Sequence, residues 1–579
     1  GFLERKNHEN DQERAISIWP DNPMGHGAEA MKYRFQWNFP IFFSPHNPKK
    51  LYAASNHLHV SYDEGQSWEV ISPDLTRNDP SKLGSSGGPI TQDNTSVEYY
   101  CTIFAAVESP RVKDLLWVGS DDGLVHLSKD GGANWENITP KGLPKWVMIN
   151  SIEASPYEDG GAYLAATLYK SGDFKPYLYK TSDYGKTWTK ITKGIDEEHF
   201  TRVIRADPKR PGLLYAGTET GMYISFDDGS NWQSFQLNLP IVPITDLVVK
   251  NDNLIASTQG RSIWMIDDLT PLHQLTPQIA QKELHLFQPM PTYRMRGSQA
   301  KKPRNAGMNH PNGVMVHYYL QDLTDSTEVK LSFMEPDGTP IQTFSTKAKE
   351  KKFKLKVKKG ANLFVWNMRY PEAKKFKGMI LWWASLNGPK AIPGAYQVKL
   401  EVGGKEELVD FKILKDPRTE ASDEDFKKQF DFMIAIRDKV SDAHQGIKDI
   451  RDIRQQLKHY TDRLGKHEAN QAIVDLGKAI DSSLTKVEEA LYQTKNRSRQ
   501  DPLNFPIRLT NKLAHLNALT SIGDYAPTNQ AVAVQKELSA LIDTELSKLK
   551  QIKEVDLPQF NQLMRDQSVD AVILQSEEE

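Results

Sequence analysis

The chain has 579 residues with 73 basic and 75 acidic side chains, a formal net charge of -2. That balance excludes a general pull toward nucleic acid or anionic membrane, which favour cationic surfaces. Charged residues at 26% and hydrophobic ones at 38% predict a globular chain of several domains.

No apolar run reaches the roughly 18 residues needed to span a bilayer. A single cysteine, Cys101, excludes a disulfide framework and any multi-cysteine metal site. Residues 1–20 read as an orphan outer strand, so the first repeat is expected to start upstream. Tyr33 to Val60 then supply strands of a first complete unit.

Four segments share one pattern: SYDEGQSW from Ser61, SKDGGANW from Ser128, TSDYGKTW from Thr181 and SFDDGSNW from Ser225. The chemistry is that of a turn. The Asp carboxylate and the Ser/Thr hydroxyl accept from backbone N–H groups at a tight corner. Glycine takes a backbone conformation that other residues reach only with strain, and Trp enters the next strand with a large area to bury. Asp63, Gly65, Trp68, Asp130, Gly132, Trp135, Asp183, Gly185, Trp188, Asp227, Gly229 and Trp232 are therefore structural. Alternating runs such as LLWVGSDDGLVHLS and LLYAGTETGMYIS precede the boxes, and LIASTQGRSIWMIDD at 254–268 repeats the inner strands without a box. Repeats of this length predict a β-propeller over residues 1–270, part of a larger two-propeller unit. Residues 72–100 form a long insertion, and Cys101 falls in an apolar strand, YYCTIF.

In a four-stranded blade the box joins strands three and four on one face. The turns between strands two and three, and the links between blades, fall on the opposite face. That face should carry Asn56, His57, Asp121, Asp122, Glu219, Gln259 and Arg261, with Arg34, Trp37, Glu98, Trp146, His199 and Arg202 from the links. Arg34, Trp37, His57, Trp146, His199, Arg202 and Arg261 are the candidate ligand-binding set. Glu98, Asp121, Asp122 and Glu219 are candidate catalytic carboxylates. A retaining glycosidase needs two carboxyls about 5–5.5 Å apart and an inverting one about 6.5–9.5 Å. Asp-Asp-Gly and Glu-Thr-Gly are equally ordinary turn sequences.

Residues 271–310 read as a Pro- and Gly-rich connector, and 311–415 as an Ig-like β-sandwich of short strands. KKFKLKVKK there places Phe353, Leu355 and Val357 on one face and lysines on the other. From Ser422 the period becomes helical. One stripe runs Phe426, Phe430, Met433, Ile436, Val440, Ala443, Ile447, Ile450, Ile453, Leu457, and a second runs Ile473, Leu476, Ile480, Leu484, Val487, Leu491. Helices near 506–520 and 529–555 complete an antiparallel bundle over 420–560, and 561–579 reads as a tail whose acidic end, DAVILQSEEE, is loosely held. The expected class is mainly β: a propeller, a sandwich and a C-terminal helical bundle. HExxH, Walker, GxSxG and EF-hand patterns are absent, and His310 and His317 lack metal-ligand spacing. No metal or cofactor is expected.

The four boxes resemble the Asp-box, or BNR, repeats of sialidases, two-propeller xyloglucanases and sortilin/Vps10 ectodomains. PMGHGAEAMKYRFQWNFPIFFSPHNP, WEVISPDLT, GGPITQDN, GTETGMYISFDDGSNWQSFQLNLP, GRSIWMIDDLTPL and DPLNFPIRLTNKLAHL are more specific. They are similar to a family of large secreted bacterial proteins often labelled glycosyl hydrolase or Vps10-domain protein. The resemblance implies a pair of propellers, then a sandwich and a helical region, with a missing N-terminal propeller portion as partner. It further implies an extracellular, periplasmic or outer-membrane location. Sialidases use an arginine triad with a Tyr/Glu pair, which has no counterpart by residue here, and xyloglucanases use an acid pair across an inter-propeller cleft. The expected function is a secreted or envelope scaffold that binds protein or glycan. The alternative is a glycoside hydrolase working at the junction with the missing propeller.

Overall fold

The computed structural model describes residues 2–295, 307–324, 326–465 and 470–571. It divides into two compact units, Gly1–Gln274 and Leu275–Glu579. The first unit opens with a hairpin of β1 (Glu4–Lys6) and β2 (Glu13–Ala15). Four four-stranded antiparallel sheets follow: β3 (Ile41–Phe43), β4 (Leu51–Ala54), β5 (Leu58–Ser61), β6 (Glu69–Val70); β7 (Ile103–Glu108), β8 (Leu116–Ser120), β9 (Val125–Ser128), β10 (Glu136–Asn137); β11 (Met148–Ala154), β12 (Ala162–Leu168), β13 (Asp173–Thr181), β14 (Thr189–Lys190); and β15 (Thr201–Ala206), β16 (Leu214–Thr218), β17 (Gly221–Ser225), β18 (Gln233–Ser234). A three-stranded sheet, β19 (Ile244–Lys250), β20 (Asn253–Thr258) and β21 (Ile263–Ile266), ends the series.

Middle strands such as LWVGS and LYAGT are buried on both faces. This is the continuous apolar run expected of sheets stacked face to face. The first strands β7, β11, β15 and β19 also pack on one another in order.

Each S/T-x-D-x-G-x-x-W turn closes strands three and four in the same way. Asp63 Oδ1 accepts from Ser61 Oγ and Ser67 N, both at 2.9 Å, and Oδ2 from Ser67 Oγ at 2.7 Å. Asn134, Thr187 and Asn231 repeat the part of Ser67 toward Asp130, Asp183 and Asp227. The box tryptophan then reaches the preceding sheet. Trp135 Nε1 donates to Ile71 O at 3.0 Å, Trp188 to Ile138 O at 2.8 Å and Trp232 to Ile191 O at 2.7 Å. The box glycine permits this approach: φ is +78° at Gly185, where a Cβ would lie 2.5 Å from Ile138 Cδ1. Trp68 makes the same bond, at 2.9 Å, to Ile16 just after β2. The opening hairpin therefore holds the place of strands three and four of a preceding sheet.

Cys101 is buried, but its φ of +61° puts it in a bend ahead of β7 rather than in a strand. The link after β21 contains α1 (Thr270–Gln274) and α2 (Pro277–Ala280). Within the expected connector, β22 (Leu284–Leu286) and β23 (Thr292–Tyr293) instead join sheets, together with β24 (Val314–Leu320), β25 (Val329–Met334), β26 (Pro340–Ser345), β27 (Gly360–Trp366), β28 (Gly394–Val402) and β29 (Lys405–Leu414). The orders are β22-β24-β27 and β23-β29-β28-β25-β26, and the two sheets share a core around Phe333, Trp366 and Phe411. KKFKLKVKK forms a short 3-10 turn and irregular chain instead of a strand. Its alternation survives, with Leu355 buried and the lysines exposed.

The helices are α3 (Asp423–Leu464), α4 (Gln471–Leu491), α5 (Leu509–Thr520), α6 (Asn529–Gln551) and α7 (Leu557–Asp566). Their apolar stripes meet in one core that includes Ile447, Ile450, Leu484, Leu513 and Ile542. The tail begins later than the expected residue 561: α7 runs to Asp566, and Phe560 and Met564 are buried in the bundle. Residues 572–579 of that tail lie outside the described residues. The bundle also holds an extended strap, in which Trp382 N donates to Asn511 Oδ1 at 2.7 Å and Asn511 Nδ2 donates back to Trp382 O at 2.8 Å.

Candidate functional site

The ladder between the first two strands slips at one place in four successive sheets. The slip falls between Ile103 and Ala105, Ile149 and Ser151, Thr201 and Val203, and Ile244 and Asp246. Each is a β-bulge, which leaves one residue unpaired and re-aims its side chain. The unpaired residues are Phe104, Asn150, Arg202 and Thr245, and all four line one cavity of about 470 Å³. That volume suits a small ligand or one segment of a polymer. The packed first strands thus deliver one side chain each to a shared opening, at the end of the sheets away from the box turns.

Aromatic groups make up much of the remaining wall. Trp37, Tyr100, Trp146 and Tyr169 line the cavity with Met148 and Leu168. Trp37 is 68% exposed, but its indole is fixed by donating to Glu98 Oε1 at 2.9 Å. The Tyr100 and Trp146 rings lie 6.2 Å apart, tilted by 33°. Trp146 adopts φ +67° and so, like Cys101 beside Tyr100, holds a left-handed backbone. Such positions cost about 1–3 kcal/mol and cluster where function needs them. Arg77 and Lys82 sit over the Trp146 ring at 5.2 and 5.7 Å, and Arg202 over Tyr169 at 5.4 Å. These are cation–π distances.

Asp121 is the one carboxylate among the lining residues. It is 4% exposed and accepts from Thr102 N at 2.9 Å and Thr102 Oγ1 at 2.8 Å. Burial pushes its pKa up to about 7; the Thr102 bonds and Lys170 oppose the shift, and Asp122 adds to it. Burial thus favours the neutral form of this carboxyl.

Of the residues expected on this face, Trp37, Asp121, Trp146 and Arg202 line the cavity together. Glu98 stands behind Trp37, and Glu219 ties down Arg202 at 2.6 Å. The others are not among its lining residues. Asp122 is fully buried and accepts from Arg77 N at 2.7 Å, a turn-forming role. Arg34 is buried on Asp74 at 2.7 Å and Cys101 O at 3.0 Å, while Asn56 also donates to Asp74 at 2.8 Å. His57 bonds Ser72 O at 3.0 Å, and His199 bonds the Tyr223 hydroxyl at 2.8 Å. Gln259 N donates to Pro243 O, and Arg261 donates to Gly260 O at 2.9 Å. Six lining residues escaped the sequence reading: Phe104, Asn150 and Thr245 because a bulge changes the face on which a strand residue points, and Tyr100, Tyr169 and Lys170 because they lie in a bend and a 3-10 turn outside the strands. Among the described residues no group of three or more His, Cys, Asp or Glu side chains could hold a metal ion. No helix among them is long and apolar enough to cross a membrane.

No family model matches the chain. An oligoxyloglucan-reducing end-specific xyloglucanase of Emericella nidulans is 28% identical over 112 residues, 18% of this chain and 13% of that protein. A probable enzyme of the same name from Neosartorya fischeri is 27% identical over 209 residues, 33% of this chain and 24% of that protein. The chain thus matches well under two thirds of the length of these curated relatives. The crystal structure of a GH74 xyloglucanase from Xanthomonas campestris aligns with a TM-score of 0.32 and 15% identity over 49% of each chain.

Proposed function

We propose that residues 1–270 are blades of a β-propeller and that the bulge-lined cavity binds a glycan. The chain then acts as an extracellular or cell-envelope scaffold, with 311–415 as an Ig-like sandwich and 420–560 as a docking bundle. The observation that carries the glycan reading is a cavity of about 470 Å³ with five aromatic side chains, Phe104 among them, and one residue from each of four bulges. Aromatic faces cover the apolar face of a sugar ring while the polar side chains meet its hydroxyls. Titration of the full chain with xyloglucan and galacturonan oligosaccharides tests it. Saturable binding that Trp37→Ala abolishes is expected; binding indifferent to Trp37, or none to either oligosaccharide, rejects the reading.

A second reading is favoured by Asp121, a carboxyl with its pKa raised to about 7 and thus suited to proton donation. The two curated relatives are named as xyloglucanases. Since the cavity wall holds one carboxylate, the second member of a hydrolytic pair has to come from outside these lining residues. Reducing-end release from xyloglucan oligosaccharides, lost in Asp121→Asn, would support this reading. Release that survives Asp121→Asn, or no release, would remove it.

A further inference from the structure

Three side chains of the cavity wall keep a hydrogen-bond donor after their bonds within the chain are made. Asn150 Oδ1 is committed, accepting from Thr167 Oγ1 at 2.7 Å, which leaves the Nδ2 amide. Arg202 gives Nε and Nη2 to Glu219, both at 2.6 Å, and its guanidinium lies over the Tyr169 and Phe200 rings at 5.4 and 5.2 Å. Nη1 remains. Lys170 is exposed on the turn after β12 and has no hydrogen bond or ion pair among the described residues.

Two acceptor groups of the wall are spent on the protein itself: both Asp121 oxygens take bonds from Thr102, and Gln36 Oε1 takes the Trp37 N–H at 2.9 Å. A neutral sugar hydroxyl seeks both a donor and an acceptor, whereas a carboxylate only accepts. Glu219 already balances Arg202, so Lys170 brings a positive charge without a bonded partner. The opposing charge, Glu98, stands at the far rim behind Trp37.

We propose that Lys170, Arg202 and Asn150 form a carboxylate-binding subsite, fitted to a uronic-acid residue of an acidic polysaccharide. The proposal rests on the glycan reading above and adds the charge of the ligand to it. The sugar ring lies against Trp37 and Tyr100 while its carboxylate turns toward the three donors. Burial of Asp121 favours its neutral form and so weakens the one inner-wall charge that would repel such a ligand.

Calorimetric titration of the full chain with tetragalacturonate and with its fully methyl-esterified form separates the two claims. The acid is expected to bind at least about tenfold tighter than the ester, with a preference that shrinks as salt screens it. Lys170→Ala should erase that preference without changing affinity for the ester, and Lys170→Arg should restore it. Equal binding of acid and ester, or a preference that survives Lys170→Ala, overturns the subsite. If both forms bind equally and Trp37→Ala abolishes both, the glycan reading stands and only the subsite fails. Binding of neither form overturns the subsite, and the glycan reading falls with it only if xyloglucan oligosaccharides also fail to bind.

Discussion

At one end of the sheets in residues 1–274, four turns repeat one set of bonds with almost no variation. At the other end, four bulges at equivalent positions carry four different side chains: Phe104, Asn150, Arg202 and Thr245. The box carboxylates are solvent-facing, and hydrogen bonds from Ser67, Asn134 and Thr187 hold Asp63, Asp130 and Asp183 below the usual carboxylate range. Asp121 at the other end is buried and raised instead. One end is fully satisfied within the chain, while the other keeps donors, aromatic faces and strained backbone unspent. The difference separates what a repeat must preserve from what it is free to change.

That contrast is broken most severely by removing a staple. Trp232 is 5% exposed and bonds Ile191 O, so Trp232→Ala should cost about 3–5 kcal/mol in denaturant unfolding of the full chain. The carboxylates differ in sign. Asp121 has a folded pKa near 7 against an unfolded value of about 3.9, so its contribution is greatest below about pH 4 and is lost as pH rises through about 7. At about 1.4 kcal/mol per unit the loss is at most about 4 kcal/mol. Thermal melts should show wild type falling relative to Asp121→Asn between pH 5 and pH 8; parallel curves would refute this. The box carboxylates run the other way: their contribution is present above about pH 3.9 and is lost as pH falls through their depressed folded values.

Smaller effects sharpen the same comparison. Gly185→Ala forces a Cβ toward Ile138 at positive φ and should cost about 1–3 kcal/mol. Asp227→Ala removes the acceptor of bonds from Ser225 and Asn231 and should cost about 1 kcal/mol, read as a shift in urea midpoint at constant slope. Trp37→Ala, exposed at the mouth, should change stability by less than about 0.5 kcal/mol. A large loss there would mean that the mouth is also part of the scaffold.

The box columns were legible because turn chemistry is local: Asp, Gly and the hydroxyl all act within eight residues. One more column lay in plain view. The residue before each Trp is Ser67, Asn134, Thr187 or Asn231, each able to donate to the box Asp through both backbone and side chain. Helical stripes were legible too, since a period of 3.6 over many turns admits few alternatives. The cavity was readable only in part. Trp37, Asp121, Trp146 and Arg202 follow from blade topology, but Asn150 and Phe104 depend on bulges, which break the period-two pattern used to assign faces. Arg34 and His199 sit on the expected links yet turn inward, to Asp74 and Tyr223, partners far away in sequence.

The bulges have a consequence for how such a chain can acquire a new ligand. An unpaired bulge residue takes no part in the cross-strand ladder, so its identity is held only by side-chain partners: Glu219 for Arg202, Thr167 for Asn150 and Ser257 for Thr245. Exchanged together with those partners, Phe104, Asn150, Arg202 and Thr245 are variable positions on a fixed ladder. A library varied at these positions and their partners would sample many ligand chemistries while every sheet, staple and turn stayed as it is.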